Sequence, residues 1–157
     1  MRHSAAVPED EWPGDDRSRP LTKRGREVAR QVARRLAEMG ADLDIVLSSP
    51  YVRATQTAAI VAKIAASVDV PALDERLVPG FGVGELREIL AQHSDAAALM
   101  LVGHESDFSV VIGEIIGGGR VTMKKAGVAL VDVSSPPLPE GRLVWLATPA
   151  VLVGSKG

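Results

Sequence analysis

Cysteine is absent from the 157 residues. That excludes a disulfide scaffold, a thiolate metal site and a cysteine nucleophile. Aromatic residues are scarce at 3%, although hydrophobic residues together reach 46%. The core must therefore be built from Val, Leu, Ile and Ala, the composition of buried strands in α/β proteins. Neither sign of charge is in excess: 18 basic and 20 acidic residues leave a net charge of −2. Such a balance lacks the basic footprint of a protein that binds nucleic acid or an anionic membrane. No apolar run reaches the roughly 18 residues needed to span a bilayer. The opening "MRHSAAVPEDEW" lacks the apolar region of a secretory signal. These absences predict a cytoplasmic protein without nucleic-acid or membrane partners, and the length suits one domain over residues 1–157.

What is present is an alternation of short apolar runs with helical patterns. Residues 8–20 are polar and contain Pro8, Pro13 and Pro20, so they read as a surface loop, long enough to be functional. Residues 22–39 have a helical period, with Val28, Val32, Leu36 and Met39 near one face and Gly40 as a stop. "DIVLSS" (44–49) reads as a buried strand, followed by a helix over 50–66 with Ser49 as N-cap and Pro50 at its first position. A short strand is predicted within 68–73, a loop over 74–84 and a helix near 85–93. "AALMLVGH" (97–104) is a second buried strand leading to a helix over 106–116, with Ser106 as a possible cap and "GGG" at 117–119 as its end. Strands at 127–133 and 142–147 flank a Pro-rich loop. The pattern predicts a three-layer α/β/α fold with a mostly parallel sheet covered on both faces.

Ligands in open α/β sheets bind beyond the carboxyl ends of strands. His104 ends one predicted strand, and Arg53 falls in the first turn of the helix that follows another. A cation there opposes the helix dipole, a penalty that an anion shared with the helix N-terminus would reverse. The "RHS" at 2–4 is a third such crossing. Each feature alone has an ordinary structural explanation. The glycine run lacks the spacing of a nucleotide phosphate loop, and His93 reads as a surface residue. With no HExxH pair and no cysteine, neither a metal nor a cofactor is expected.

Taken together, "MRH" at 1–3, "RPLTKRG" at 19–25, "VLSSPYVRATQTA" at 46–58, "LVGH" at 101–104 and the late "GVALVDV" strand resemble the histidine phosphatase superfamily, with the phosphoglycerate-mutase-like fold. The similarity is greatest to the small SixA-type phosphohistidine phosphatases. The resemblance implies a nucleophile at His3, phosphate-binding arginines at Arg2 and Arg53, and a second pocket histidine at His104. Two imidazoles and two guanidiniums around one phosphate are chemically coherent: arginine forks match phosphate oxygens, and a neutral imidazole can attack phosphorus. It implies a metal-independent phosphatase acting on a phosphorylated protein, with protein phosphohistidine as the expected substrate. The alternatives are small phosphoesters or nucleotide-derived phosphates, or a phosphate-binding module without turnover.

Two departures from the family pattern stand out. Ser4 replaces the usual glycine after the histidine, where a side chain would narrow the pocket or add a hydroxyl to phosphate. The family has a strand immediately before the "RH" pair, so either apolar, β-branched residues precede Met1 or the first strand is unusually short. The general acid is open: Glu75 and Glu85 are candidates, with Glu9, Asp10 and Glu11 behind them.

Overall fold

The computed structural model describes residues 1–66, 70–133 and 140–154. Helix α1 (Lys23–Glu38) begins where Thr22 Oγ1 accepts the Gly25 N–H at 2.9 Å, a side-chain cap for one of the orphan donors of the first turn. Strand β1 (Ile45–Ser48) leads into helix α2 (Val52–Ala65), and strand β2 (Ala72–Leu73) precedes helix α3 (Val83–Gln92). Strand β3 (Leu99–Val102) leads into helix α4 (Asp107–Ile115). The chain ends with strands β4 (Val128–Val133) and β5 (Gly141–Ala147) and a short helix α5 (Pro149–Val153). No described helix is long and apolar enough to cross a membrane.

β2, β1 and β3 form a parallel sheet in that order, with Ile45 opposite Leu99 and Ser48 opposite Val102. β4 and β5 pair antiparallel. Residues 1–3 lie between the two sheets. Met1 N donates to Leu101 O at 2.7 Å, Gly103 N to Met1 O at 3.2 Å and His3 N to Gly103 O at 3.0 Å, which is parallel pairing beside β3. On their other side Arg2 N donates to Gly127 O and Ala126 N to His3 O. The position beside β3 is thus taken by the segment that carries Arg2 and His3.

Side chains alternate across the strands with period two, and this sorts the core into two halves. Val46, Met100, Val102 and Val128 pack with α1, α2 and α5. Leu47, Leu99, Leu101 and Val131 face α3 and α4. The result is the three-layer arrangement of helices on both faces of a sheet. The α1–α2 contact is made close by alanines: Ala29 and Ala33 on one helix and Ala54, Ala58 and Ala62 on the other are all buried. The buried stripe of α1 runs through Ala29, Val32, Ala33 and Leu36, while Met39, at the C-cap, is 47% exposed.

Three local expectations need correction. α2 starts at Val52 with Tyr51 at its cap and no side-chain cap bond; the Ser49 hydroxyl takes the Tyr51 N–H only at 3.4 Å and lies 2.8 Å from His104. Ser106 stands at the cap of α4 but makes no side-chain cap bond. Of the strand expected within 68–73, only Ala72–Leu73 is strand, and Val68 and Asp69 lie outside the described residues. The same holds for 134–139 of the Pro-rich loop. Helix α5 was not foreseen; its Pro at the first position after Thr148 is a start signal.

Gly25 fastens α1 to the N-terminal segment. A Cβ there would lie 2.0 Å from Ala5 O, and the same carbonyl accepts from Thr22 N at 3.0 Å. Gly25→Ala should therefore destabilise the protein by about 1–3 kcal/mol, the usual cost of overpacking. Gly84→Ala, at a helical position with nothing within 4 Å of the added carbon, should be neutral or stabilising by up to about 1 kcal/mol. Urea unfolding of the two variants checks both signs.

Candidate active site

The carboxyl ends of β1 and β3 and the N-terminal segment converge on one cleft of about 250 Å³. Arg2, His3, Arg53 and His104 all line it. They arrive from separate places: Arg2 and His3 from the segment beside β3, Arg53 from the first turn of α2, and His104 from the end of β3. The sequence order that looked scattered is thus one locus at the strand ends, where α/β sheets bind ligands.

His3 is buried and its ring is fixed. Nδ1 lies 2.7 Å from Ser4 O, and a carbonyl only accepts, so Nδ1 carries the hydrogen. Nε2 is then a lone-pair nitrogen, and it accepts the Arg53 Nε–H at 3.3 Å. Burial pushes the His3 pKa down to about 3; Arg53, His104 and Arg2 add to the shift and the Ser4 hydrogen bond opposes it. His104 sits with its ring centroid 5.3 Å from that of His3, and its Nε2 is 2.8 Å from Ser49 Oγ. Burial, then Arg53 and Arg2, bring its pKa down to about 4, against a smaller opposite pull from Asp16. Both imidazoles are therefore neutral near pH 7.

The cations are held from behind. Arg53, only 5% exposed, donates from Nη1 to Asp16 O at 2.6 Å and from Nη2 to Asp16 Oδ2 at 2.9 Å. Its guanidinium lies 4.8 Å from the Tyr51 ring centroid, within cation–π range. Arg2 donates from Nη1 to Met123 O at 2.8 Å, while its buried Nε has no partner. Burial lowers the Arg2 pKa and Glu105 opposes that shift, but a guanidinium stays charged. Glu105 Oε1 accepts from Ser109 Oγ and from Met123 N at 3.2 Å. Its Oε2 is buried without a partner.

Other candidate residues fall away from the cleft. The Ser4 hydroxyl donates to Gly25 O at 2.7 Å, and Ser4 is not in the lining. It neither narrows the cleft nor offers it a hydroxyl, because the side chain points into the junction with α1. Glu75 pairs with Arg17 at the surface, its side chain 71% exposed. Glu85 Oε2 accepts the Gly82 N–H at 3.0 Å at the start of α3. Glu9, Asp10 and Glu11 form an exposed 3-10 turn. Conversely, Arg19, Glu105 and Lys125 line the cleft and were not singled out from the sequence. Glu105 had a signal in directly following His104, and Arg19 lies within the "RPLTKRG" stretch. Lys125 had none.

The sequence profile of the histidine phosphatase superfamily (branch 1) matches residues 1–81, the half that carries Arg2, His3 and Arg53. An uncharacterised protein of Picosynechococcus sp. is 32% identical over 135 residues, which is 82% of this chain and 79% of that protein. Among solved structures, the chain is similar to the protein histidine phosphatase SixA complexed with tungstate: TM-score 0.83, 24% identity, covering 96% of this chain and 95% of that one. It is also similar to the alpha-ribazole phosphatase from Shigella flexneri, with TM-score 0.69 and 17% identity over 91% and 93% of the two chains. These two likenesses establish a shared fold.

The two depressed histidines predict an acid sensitivity. In the unfolded chain each protonates near pH 6.5, whereas in the folded state they resist protonation down to about 4 and about 3. Between those values the unfolded state binds more protons, so the stability contributed by the two histidines is complete above about pH 6.5 and is lost as pH falls. The slope should approach about 1 kcal/mol per pH unit for each histidine over pH 6.5–5, before carboxylates dominate. A His3→Asn/His104→Gln double variant should lose most of that slope in urea unfolding measured across the window. An unchanged slope would show that the imidazoles are not buried neutral.

Proposed function

The chain belongs to the histidine phosphatase superfamily, and from that membership we propose that it is a phosphatase that carries the phosphoryl group transiently on His3. The observation that carries this reading is the His3 ring: Nδ1–H given to the Ser4 carbonyl and a neutral Nε2 aimed among Arg53, His104 and Arg2. When a phosphoryl group enters, the Arg53 Nε–H hydrogen bond passes from this nitrogen to a phosphoryl oxygen, and the freed lone pair attacks phosphorus in line with the leaving group, whose bond to phosphorus breaks with the electron pair. The new N–P bond leaves positive charge on the imidazole, which the Ser4 carbonyl stabilises through Nδ1–H. Ser4 thus contributes its backbone rather than its hydroxyl. Arg2 and Arg53 balance charge on the equatorial oxygens, and His104, with Nε2 engaged by Ser49, offers Nδ1. Water then cleaves the phosphohistidine, releasing phosphate and restoring neutral His3. The guanidiniums and Lys125 supply the positive charge, so this chemistry calls for no metal and no cofactor.

The substrate we propose is protein phosphohistidine. Expelling an alkoxide demands a proton, and a positioned general acid is typically worth 10²–10⁴-fold. Glu75 and Glu85 lie outside the cleft. Glu105 lines it, but its Oε1 is addressed by two donors and Arg2 lies alongside, which suits an acceptor rather than a proton donor. An imidazole leaving group, whose conjugate acid has a pKa of about 6.5, departs with far less help. The likeness to an alpha-ribazole phosphatase favours a second reading, a small phosphoester or nucleotide-derived phosphate.

Two measurements test these proposals. Rapid quenching of EDTA-treated wild type should trap an acid-labile phosphoryl label that is absent from folded His3→Ala. Turnover by His3→Ala, or a label that needs an added divalent ion, would refute the mechanism. For the leaving group, kcat/KM should be far higher for a phosphohistidine peptide and an activated aryl phosphate than for an alkyl phosphate. Equal rates on alkyl phosphate would mean that a proton donor exists, and Glu105→Gln should then remove it.

A further inference from the structure

The loop over residues 8–20 lends Arg19 to the lining of the cleft and places Asp16 just behind it. The Asp16 carboxylate bridges two guanidiniums that line the cleft. Oδ2 accepts from Arg53 Nη2 at 2.9 Å, and Oδ1 accepts from Arg19 Nε at 2.8 Å and Nη2 at 2.5 Å. The Asp16 backbone carbonyl adds a bond from Arg53 Nη1 at 2.6 Å. Burial would raise the Asp16 pKa, but the hydrogen bonds from Arg19 and Arg53 outweigh it and hold the carboxyl below its ordinary value. Asp16 itself sits on an ordered turn: Asp15 Oδ1 accepts the Ser18 N–H at 3.0 Å, and Trp12 Nε1 donates to Ser18 Oγ at 3.1 Å.

A guanidinium has five N–H donors in one plane. In Arg53 the outer edge, Nη1 and Nη2, is taken by Asp16, and Nε faces His3 Nε2. The two bonds to Asp16 restrain the group in its plane, and the Tyr51 ring centroid lies 4.8 Å from its central carbon. The inner edge, Nε with the second hydrogen of Nη2, stays directed at the nitrogen proposed to receive phosphorus. That is the paired-donor edge a phosphoryl oxygen would use. We infer that Asp16 is a positioning residue, which presents the inner edge of Arg53 to the phosphoryl group while anchoring Arg19 at the cleft. The inference rests on the proposed phosphatase reading.

A carboxylate near a phosphate site has an opposing effect, because it repels the substrate. Asp16 is already balanced by two cations, so positioning outweighs repulsion. Removing it leaves a more positive but unaimed pair of guanidiniums, and the sign of the change in binding tells the two effects apart.

The test is calorimetric binding of inorganic phosphate and tungstate, together with steady-state kinetics on an aryl phosphate. Asp16→Ala should weaken anion binding by about 10- to 100-fold, by analogy with the loss of a group that orients a metal ligand, and should raise KM more than it lowers kcat. Asp16→Asn keeps one acceptor oxygen and nearly the same shape, so it should fall between. In an Arg53→Ala background, Asp16→Ala should cost less than about twofold more, since groups acting through one another are not additive. Unchanged or tighter binding in Asp16→Ala, or an equal cost without Arg53, would overturn the positioning role. Failure of the wild type to bind either anion would instead overturn the phosphatase reading itself.

Discussion

The structure depends on the docking of residues 1–3 between β3 and the start of β4. His3 donates its backbone N–H to Gly103 and accepts from Ala126, so both sides of the segment are tied into sheet-like pairing. Buried backbone groups must be paired, and here the pairing also aims a side chain. One set of bonds joins the parallel sheet to the β4–β5 hairpin and places His3 opposite His104. The adjoining Ser4 and Ala5 bind Gly25 and Thr22 at the start of α1. Loosening that junction would disturb packing and chemistry at once.

Electrostatics within the cleft follow from burial. Four cationic side chains and two imidazoles line it against one carboxylate. Desolvation, with the neighbouring guanidiniums, lowers the pKa of both imidazoles and keeps them neutral near pH 7. Neutrality is what a nitrogen nucleophile needs. The same excess of positive charge is what a phosphate dianion would meet. The guanidiniums are restrained by groups that are not themselves in the cleft: Met123 O for Arg2, and Asp16 for Arg53 and Arg19. This outer layer gives long, flexible side chains a single orientation.

Much of the fold was legible because its signals are local. The period of α1, the apolar runs of β1 and β3 and the glycine stop at 117–119, with φ of 87°, 115° and 122°, each lie within a few residues. Ser49 shows where local reading fails. It has the residue type and position of a helix cap, yet its hydroxyl meets His104, 55 residues away, and the helix starts later. The same buried hydroxyl still takes the Tyr51 N–H, but only at 3.4 Å; leaving a buried imidazole nitrogen without a partner is the larger cost, so the tertiary partner takes the short bond. Glu75 and Glu85 show the same limit, since residue type alone does not say which carboxylate faces a cleft.

The sequence by itself determined the family, the order of elements from α1 to β5, and four side chains that line the cleft, Arg2, His3, Arg53 and His104. Those rest on short motifs and on periodicities that span a single element. Only the tertiary structure decided that the Ser4 hydroxyl turns to Gly25 and away from the cleft, that Glu105 is the carboxylate of the cleft and that Asp16 grips Arg53 across 37 positions of chain. Such partners are chosen when elements pack, because a buried polar group takes whichever complementary group the fold brings within about 3 Å, and sequence spacing carries no record of that distance.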